Sequence, residues 1–139
     1  MSADLVTDCL ACLDEAHQNG IITDHSLVTM QTWLREPRYA EFAEQLADLI
    51  VHAKVDKEIW KSLDDAYWTV IPFGTGGRRG KMFPVGSNAI NDRTIGESAQ
   101  GLAEYVMATR TDGSEPSCTI AYDTRHRSEH FAKLCSEIL

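Results

Sequence analysis

The sequence has no long apolar run and no excess of positive charge, and both absences exclude classes of protein. A helix that crosses a bilayer needs about 20 consecutive apolar residues, and no stretch of the chain approaches that length. The formal net charge is -8 at pH 7, whereas a general nucleic-acid binder needs excess bases to displace counterions from phosphates. The N-terminus carries acids where a secretory signal has bases. We therefore expect a cytoplasmic protein that binds neither membranes nor nucleic acid.

Nothing in the number or spacing of the cysteines indicates disulfides. The chain has four cysteines: Cys9, Cys12, Cys118 and Cys135. Cys9 and Cys12 form a C-x-x-C spacing, but a structural zinc site needs about four ligands and no second pair follows at suitable spacing. Because the pair lies in a helical pattern, we interpret both thiols as small buried hydrophobes. His126 and His130 also lack a third ligand, so we predict no metal site in this chain.

The first 66 residues predict helices, because their apolar residues recur at helical spacing. This segment holds 13 Asp and Glu against five Lys and Arg, and we expect these acids on solvated helix faces. The first helix should end at Gly20, the second should be capped by Asp24 or Ser26, and a short fourth should surround Trp60. The third has the clearest apolar face, formed by Tyr39, Phe42, Ala43, Leu46, Ile50 and Ala53.

The rest of the chain alternates between strand and helix patterns. The segment from Tyr67 to Phe73 is aromatic and β-branched, which predicts a strand ended by Pro72, and Cys118 to Tyr122 predicts a second strand. Thr94 and Glu97 form a T-x-x-E capping box before a long helix. A final helix should carry one apolar side, formed by Phe131, Leu134, Cys135 and Ile138.

This alternation predicts an α/β fold with helices covering a sheet. We predict an incomplete α/β/α layered domain with a mixed sheet over residues 67–139, preceded by an all-helical leader over residues 1–66. The domain is expected to be incomplete because two strands rarely make a stable sheet by themselves.

A glycine-rich, basic loop separates the first predicted strand from the long helix. From Phe73 to Arg93 the chain has one acid against four bases, Arg78, Arg79, Lys81 and Arg93. Glycine amides and a nearby helix N-terminus favour an anion, and guanidinium groups match phosphate oxygens. The Walker pattern fails at Thr75 and Met82, and the dinucleotide fingerprint fails at Arg79. A phosphate cradle and a flexible surface loop with solvated arginines are both left open by composition.

The loop from Phe73 to Gly80 resembles the F-G-T-[AS]-G-x-R-G opening of the α-D-phosphohexomutases, the phosphoglucomutase/phosphomannomutase family. Segments 91–95 and 100–105 are similar to the region that follows this motif in the phosphoglucomutase/phosphopentomutase branch. Segment 120–125 resembles the next strand and its D-x-R loop. These motifs occur in the expected order over about residues 68–139, so the chain is identified as resembling the N-terminal part of domain I of such an enzyme.

The resemblance also implies which residues face a phosphoryl group. The family loop that lies beside the phosphoserine is matched by Thr75, Gly76, Gly77 and Arg79. Arg125 of the D-x-R loop is implied as a further phosphate-facing or substrate-facing residue, and an ion pair with Asp123 is the alternative for its side chain. Asp123 and Arg78 are given supporting roles, although Arg78 stands where the family usually has an apolar residue and could reach solvent.

By resemblance, the activity is the transfer of a phosphoryl group between the 1- and 6-hydroxyls of a sugar. It passes through a phosphoserine and a bisphosphate intermediate, with Mg²⁺ expected for the parent enzyme. The T-x-S-H-N-P serine motif and the D-x-D-x-D metal loop do not occur in this sequence and are expected beyond Leu139. We therefore predict no catalytic or metal-binding residue here, no activity of the chain alone, and a sugar phosphate or the missing phosphoserine loop as partner. A non-catalytic phosphosugar-binding or helical interaction module is the alternative.

Overall fold

The computed structural model describes residues 2–110, 113 and 115–139, which form two compact units. The first unit runs to Ile90 and the second from Asn91 to Leu139. The first contains α1 (Ala3–Gln18), α2 (Asp24–Arg35), a 3₁₀ turn (Pro37–Tyr39), α3 (Ala40–Ala53), α4 (Glu58–Tyr67), β1 (Phe73–Gly74) and β2 (Gly77–Arg78). The second contains α5 (Asp92–Thr109) and α6 (Ser128–Ile138). None of the described helices is long and apolar enough to cross a membrane.

Helices α1 to α4 enclose the core of the first unit around Trp33. This side chain is 2% exposed, stacks on Tyr39 with ring centroids 4.8 Å apart, and meets Tyr67 edge-on at 5.0 Å. Aromatic pairs in such geometries contribute about 0.5–1.5 kcal/mol beyond the burial of their area. The prediction that helices precede an incomplete α/β part is confirmed, while the boundary between residues 66 and 67 stays a prediction.

The second helix is capped by Thr23, so the prediction of Asp24 or Ser26 is wrong. The Thr23 hydroxyl oxygen accepts a hydrogen bond from the Ser26 amide at 3.4 Å. The Thr23 amide and hydroxyl both donate to one carboxylate oxygen of Asp64, at 2.8 and 2.9 Å. Thr23 is thus held at the N-cap by Asp64 of α4. Because Asp64 is distant in the sequence, the residues around the helix start do not reveal this contact.

Helix α5 begins one turn earlier than the predicted T-x-x-E box. Its N-cap is Asn91, whose side-chain oxygen accepts from the Thr94 amide at 3.0 Å, while the Thr94 hydroxyl oxygen accepts from the Asn91 amide at 3.1 Å. Thr94 is thus the third residue of the helix and not its cap. Glu97, the predicted partner in the box, instead pairs with Arg93 at 2.6 Å. The long helix itself is confirmed.

Both strand predictions differ from the structure. Tyr67 ends α4 with its ring fully buried. Of the first predicted strand only Phe73 lies in an observed strand, Phe73–Gly74, which forms an antiparallel hairpin with Gly77–Arg78. Residues 118–122 have no regular secondary structure. A strand exists only through hydrogen bonds to a partner, and within the described residues no other strand pairs with 118–122. A composition that favours strands was therefore insufficient to form a sheet.

The second unit is a layer made by α5 and α6. The Asp92 carboxylate accepts from Arg127 at 2.6 Å and from His130 at 3.0 Å, so the start of α5 is tied to the start of α6. The final helix is confirmed, although none of its residues is buried. Large apolar side chains that remain exposed in this unit are Leu102, Tyr105, Met107, Tyr122 and Leu139.

Candidate functional site

The glycine-rich loop begins with a short hairpin. Phe73 pairs with Arg78 and Gly74 with Gly77, which leaves Thr75 and Gly76 at the exposed tip. Gly77 has φ +117°, a conformation that residues with a side chain rarely adopt. The tight reversal of the backbone therefore depends on glycine at this position.

The later part of the loop is attached to the C-terminal end of α4. The Asn88 amide donates to the Ala66 carbonyl at 2.9 Å, and the Asn88 side chain donates to the Asp65 carbonyl at 2.8 Å. The Ser87 hydroxyl donates to the Thr69 carbonyl at 2.7 Å. The two Asn88 bonds satisfy carbonyl groups that the end of α4 leaves without helical partners, and the Ser87 bond holds the loop to the segment that follows the helix. They argue against a flexible loop for residues 81–90.

Two glycines allow this close approach. Gly86 has φ +103°, and a Cβ atom there would lie 2.5 Å from the Ala66 carbonyl oxygen and 2.8 Å from its Cβ. At Gly80, a Cβ atom would lie 2.8 Å from the Ile71 side chain. The loop backbone therefore lies directly against Ala66 of α4 at Gly86 and against the tip of the Ile71 side chain at Gly80.

A cavity of about 430 Å³ lies between this loop and α4. Its size falls within the range of about 300–1,000 Å³ that is usual for small-ligand sites. Its lining is formed by Ser62, Asp65, Ala66, Arg79, Gly80, Lys81, Met82, Phe83, Asn88 and Ala89. Lys81 pairs with the Asp65 carboxylate at 2.9 Å. Arg79 is exposed and, within the described part of the chain, makes no ion pair or hydrogen bond.

Within the first unit, the positive charge around the cavity comes from the side chains of Arg79 and Lys81. Within the first unit, the loop contacts the C-terminal end of α4, where the helix dipole is negative and favours cations. This explains why Lys81 lies there with Asp65. An anion in the cavity would therefore be attracted mainly by Arg79.

The structure separates the loop residues that were matched by sequence. Arg79 lines the cavity, whereas Thr75 and Gly76 lie at the exposed hairpin tip. Arg78, for which a solvent-facing position was left open, is half-buried, and its Nε and Nη1 atoms are buried.

Sequence reasoning missed the contribution of α4. Asp65 is exposed, as expected of the leader's acids, but Asp65 and Ser62 also line the cavity, and that position was not predicted. One feature of the sequence could have indicated that the end of α4 makes tertiary contacts: two adjacent acids, Asp64 and Asp65, lie at the end of a predicted helix. One holds the Thr23 cap and the other holds Lys81.

The D-x-R residues lie in the second unit, just before α6. The Asp123 carboxylate accepts from the Arg125 amide at 3.0 Å and from its Nε at 2.8 Å. The backbone hydrogen bond from Arg125 is the main cause that lowers the pKa of Asp123, and side-chain bonds from Arg125 and Ser128 add to it. The ion pair that was left open as an alternative is therefore present, and the Arg125 side chain is 86% exposed.

No three His, Cys, Asp or Glu side chains lie close enough to hold a metal ion, as far as the described residues extend. We assign the Mg²⁺ that the resemblance implies to none of these described residues.

Comparisons with known proteins agree with the loop. The family model described as phosphoglucomutase/phosphomannomutase, alpha/beta/alpha domain I, matches residues 71–139. A phosphoglucomutase of Staphylococcus aureus (strain bovine RF122 / ET3-1) is 39% identical over 75 residues, which cover 54% of this chain and 13% of the relative. A phosphoglucomutase of Staphylococcus haemolyticus (strain JCSC1435) is 34% identical over 92 residues, which cover 66% of this chain and 16% of the relative.

The S. aureus (strain MRSA252) phosphoglucomutase is 33% identical over 105 residues, which cover 63% of this chain and 18% of the relative. The chain thus spans less than a fifth of the length of these relatives. No solved structure matches it significantly. Over residues 71–139, the chain belongs to the phosphoglucomutase/phosphomannomutase family and represents part of its first α/β/α domain.

Proposed function

We propose that this chain contributes the phosphate-facing loop of a phosphohexomutase. The reaction would be the isomerisation of a sugar 1-phosphate and a sugar 6-phosphate in carbohydrate metabolism, through a phosphoserine and a bisphosphate intermediate. The observation that carries the proposal is the position of Arg79 on the cavity, inside the segment that matches the family.

The role of each loop residue follows from its place. Arg79 would hold a phosphoryl oxygen with its guanidinium group, because a planar fork matches the geometry of phosphate. The amides of Thr75, Gly76 and Gly77 lie on the hairpin, outside the cavity lining, and would face phosphate from the hairpin. Arg78 would support the hairpin from its half-buried position. Phosphoryl transfer depends mainly on positioning and on the neutralisation of charge, and this loop would provide a share of both.

The D-x-R residues would act less directly. Asp123 would hold Arg125 in one orientation through the two hydrogen bonds already present. The guanidinium group would still expose its remaining N–H groups to a phosphate or a substrate. The phosphoryl donor and the Mg²⁺ are not assigned here, because the sequence contains neither the serine motif nor the metal loop. We therefore expect the chain by itself to show no mutase activity.

The test is an amide NMR titration of the chain with inorganic phosphate and with glucose 1-phosphate at low salt. Shifts should centre on residues 75–80. Arg79→Gln should weaken binding about tenfold, the effect of losing a charged hydrogen bond at a partly solvated site. Arg35→Gln removes an exposed arginine elsewhere in the first unit and should leave the affinity unchanged. Equal shifts in the wild type and in Arg79→Gln would refute the proposal.

A binding function without turnover is the second candidate. The loop and helices α1–α4 belong to one compact unit with its own core, so this unit could bind a phosphosugar without further domains. The mass of the native gene product separates the two candidates. A product near 15.5 kDa that binds glucose 1-phosphate would favour the binding module, and a much larger product would favour the mutase.

A further inference from the structure

A second cavity in the first unit combines a thiol with charged side chains, and the mutase proposal does not use it. It measures about 410 Å³, between α1, the N-terminal part of α4 and the turn after α3. Its lining is formed by Cys12, Glu15, Ala16, Asn19, Ile21, Ala53, Lys54, Lys57 and Trp60. Cys12 is the second cysteine of the C-x-x-C spacing that was interpreted as two buried hydrophobes.

That interpretation holds for Cys9 and holds in part for Cys12, which packs against the core but is only half-buried. Cys9 is 1% exposed and its sulfur contacts the Ala47 carbonyl at 3.8 Å. Burial is the main cause that raises the pKa of the Cys9 thiol, which keeps it protonated and unreactive. Cys12 lies one turn further along α1, is only half-buried and opens into the cavity.

Cys12 has a cationic neighbour. Lys54 lines the same cavity as Cys12, and interaction with the Cys12 side chain is the main cause that raises the pKa of Lys54. Lys57 lines the same cavity, and Glu15 provides one carboxylate. The thiol is therefore surrounded by two ammonium groups and one carboxylate. This pattern is complementary to a small peptide thiol that carries two carboxylates and one ammonium group.

We propose that Cys12 is a site of reversible thiolation by a low-molecular-weight peptide disulfide of the glutathione type. The Cys12 thiolate attacks one sulfur of the disulfide, a new S–S bond forms to Cys12, and the original S–S bond breaks. The electron pair leaves with the departing thiolate, which takes up the proton that Cys12 released to solvent. Cys12 is oxidised and the small disulfide is reduced, so no other oxidant is needed. Lys54 and Lys57 bind the carboxylates of the adduct, and Glu15 binds its ammonium group.

The test measures mixed-disulfide formation at Cys12 relative to Cys118 by mass spectrometry of peptides. Cys118 is exposed and serves as an internal control, so differences in reagent reactivity cancel in the ratio. The Cys135→Ala background prevents Cys135 from resolving an adduct at Cys118. The probes are oxidised glutathione, with carboxylates, and cystamine, which has ammonium groups alone.

The ratio of Cys12 to Cys118 modification should be several-fold higher with oxidised glutathione than with cystamine. Lys54→Gln and Lys57→Gln should each lower the glutathione ratio about threefold, as expected for one exposed ionic contact. Lys61→Gln removes an exposed lysine of α4 outside the cavity lining and should change nothing. Added salt should reduce the preference, because the Debye length is about 10 Å at 0.1 M.

Two results would overturn the proposal. One is an equal Cys12 to Cys118 ratio for the two disulfides. The other is a glutathione ratio that Lys54→Gln and Lys57→Gln leave unchanged, which would make Cys12 an accessible thiol without a binding site. Circular dichroism of each variant checks that the helices are retained, so that a change of ratio is not caused by unfolding.

Discussion

Replacement of Gly86 by alanine tests the packing of the loop on α4. The new Cβ would lie 2.5 Å from the Ala66 carbonyl oxygen, and Gly86 has φ +103°. The left-handed backbone costs about 1–2 kcal/mol for a residue with a side chain. The contact can be relieved only if the loop moves away from the end of α4, and this movement would break the two Asn88 hydrogen bonds. Each of these bonds contributes about 0.5–1.5 kcal/mol to stability. Alanine also reduces the conformational entropy of the unfolded chain, which offsets about 0.4–1 kcal/mol of this destabilisation.

The free energy of unfolding of the first unit should therefore fall by about 2–4 kcal/mol. Tryptophan fluorescence during urea unfolding measures this unit selectively, because all three tryptophans lie in it: Trp33, Trp60 and Trp68. The unfolding free energy of small proteins falls by about 1–3 kcal/mol per molar urea. For a value near the lower end of this range, the urea concentration at the midpoint of unfolding should fall by about 2 M or more.

Gly76→Ala is the matched control in the same loop. No atom lies within 4 Å of a Cβ built at Gly76, so its effect should stay within about 1 kcal/mol. If Gly86→Ala unfolds at the same urea concentration as Gly76→Ala, the loop is not packed against Ala66 and the geometry of the cavity is wrong. If Gly86→Ala is destabilised as expected, its amide spectrum should also show altered signals around Asn88.

Three further substitutions test other parts of the fold. Leu46→Ala, at a fully buried position, should destabilise the first unit by about 2–5 kcal/mol, and a loss below 1 kcal/mol in the fluorescence assay would contradict the core assignment. Asn91→Ala removes the cap of α5 and should cost about 0.5–2 kcal/mol; faster hydrogen exchange at the Thr94 amide is the measurement, and unchanged exchange would argue against the cap. Burial raises the pKa of Cys9 above its ordinary value of 9.0, so the stabilising effect of the thiol is fully present below that pH and is lost as pH rises through the folded-state pKa. The stability of the wild type relative to Cys9→Ala should accordingly decrease above pH 9.0, and a constant difference in urea midpoints would refute this cause.

Periodicity predicted the helices well because each helix satisfies its backbone bonds within its own sequence. Segment 40–53 has an apolar face so regular that the prediction and the observed α3 (Ala40–Ala53) nearly coincide. The strand predictions failed for the opposite reason, since a strand needs a partner that lies elsewhere in the chain. Residues 118–122 have the composition of a strand and no regular secondary structure.

The loop motif was recognisable from sequence, but the shape of its surroundings was not. The motif indicated Arg79 as the candidate phosphate-binding residue, and the family match over residues 71–139 includes the segment in which it lies. The opposite wall of the cavity comes from Asp65 and Ser62, which lie in a helix with no recognisable motif. In the same way, the C-x-x-C spacing did not predict that Cys12 would adjoin Lys54.

The sequence by itself determined the helical leader, the family of residues 71–139 and the basic character of the loop, because periodicity, motif spacing and charge are local properties. The tertiary structure decided which helix end receives the loop, which cation remains open to a ligand and which of two neighbouring thiols reaches a cavity. Those outcomes depend on contacts between residues far apart in the chain, such as Lys81 with Asp65 and Thr23 with Asp64. Such contacts form only when packing brings distant segments together.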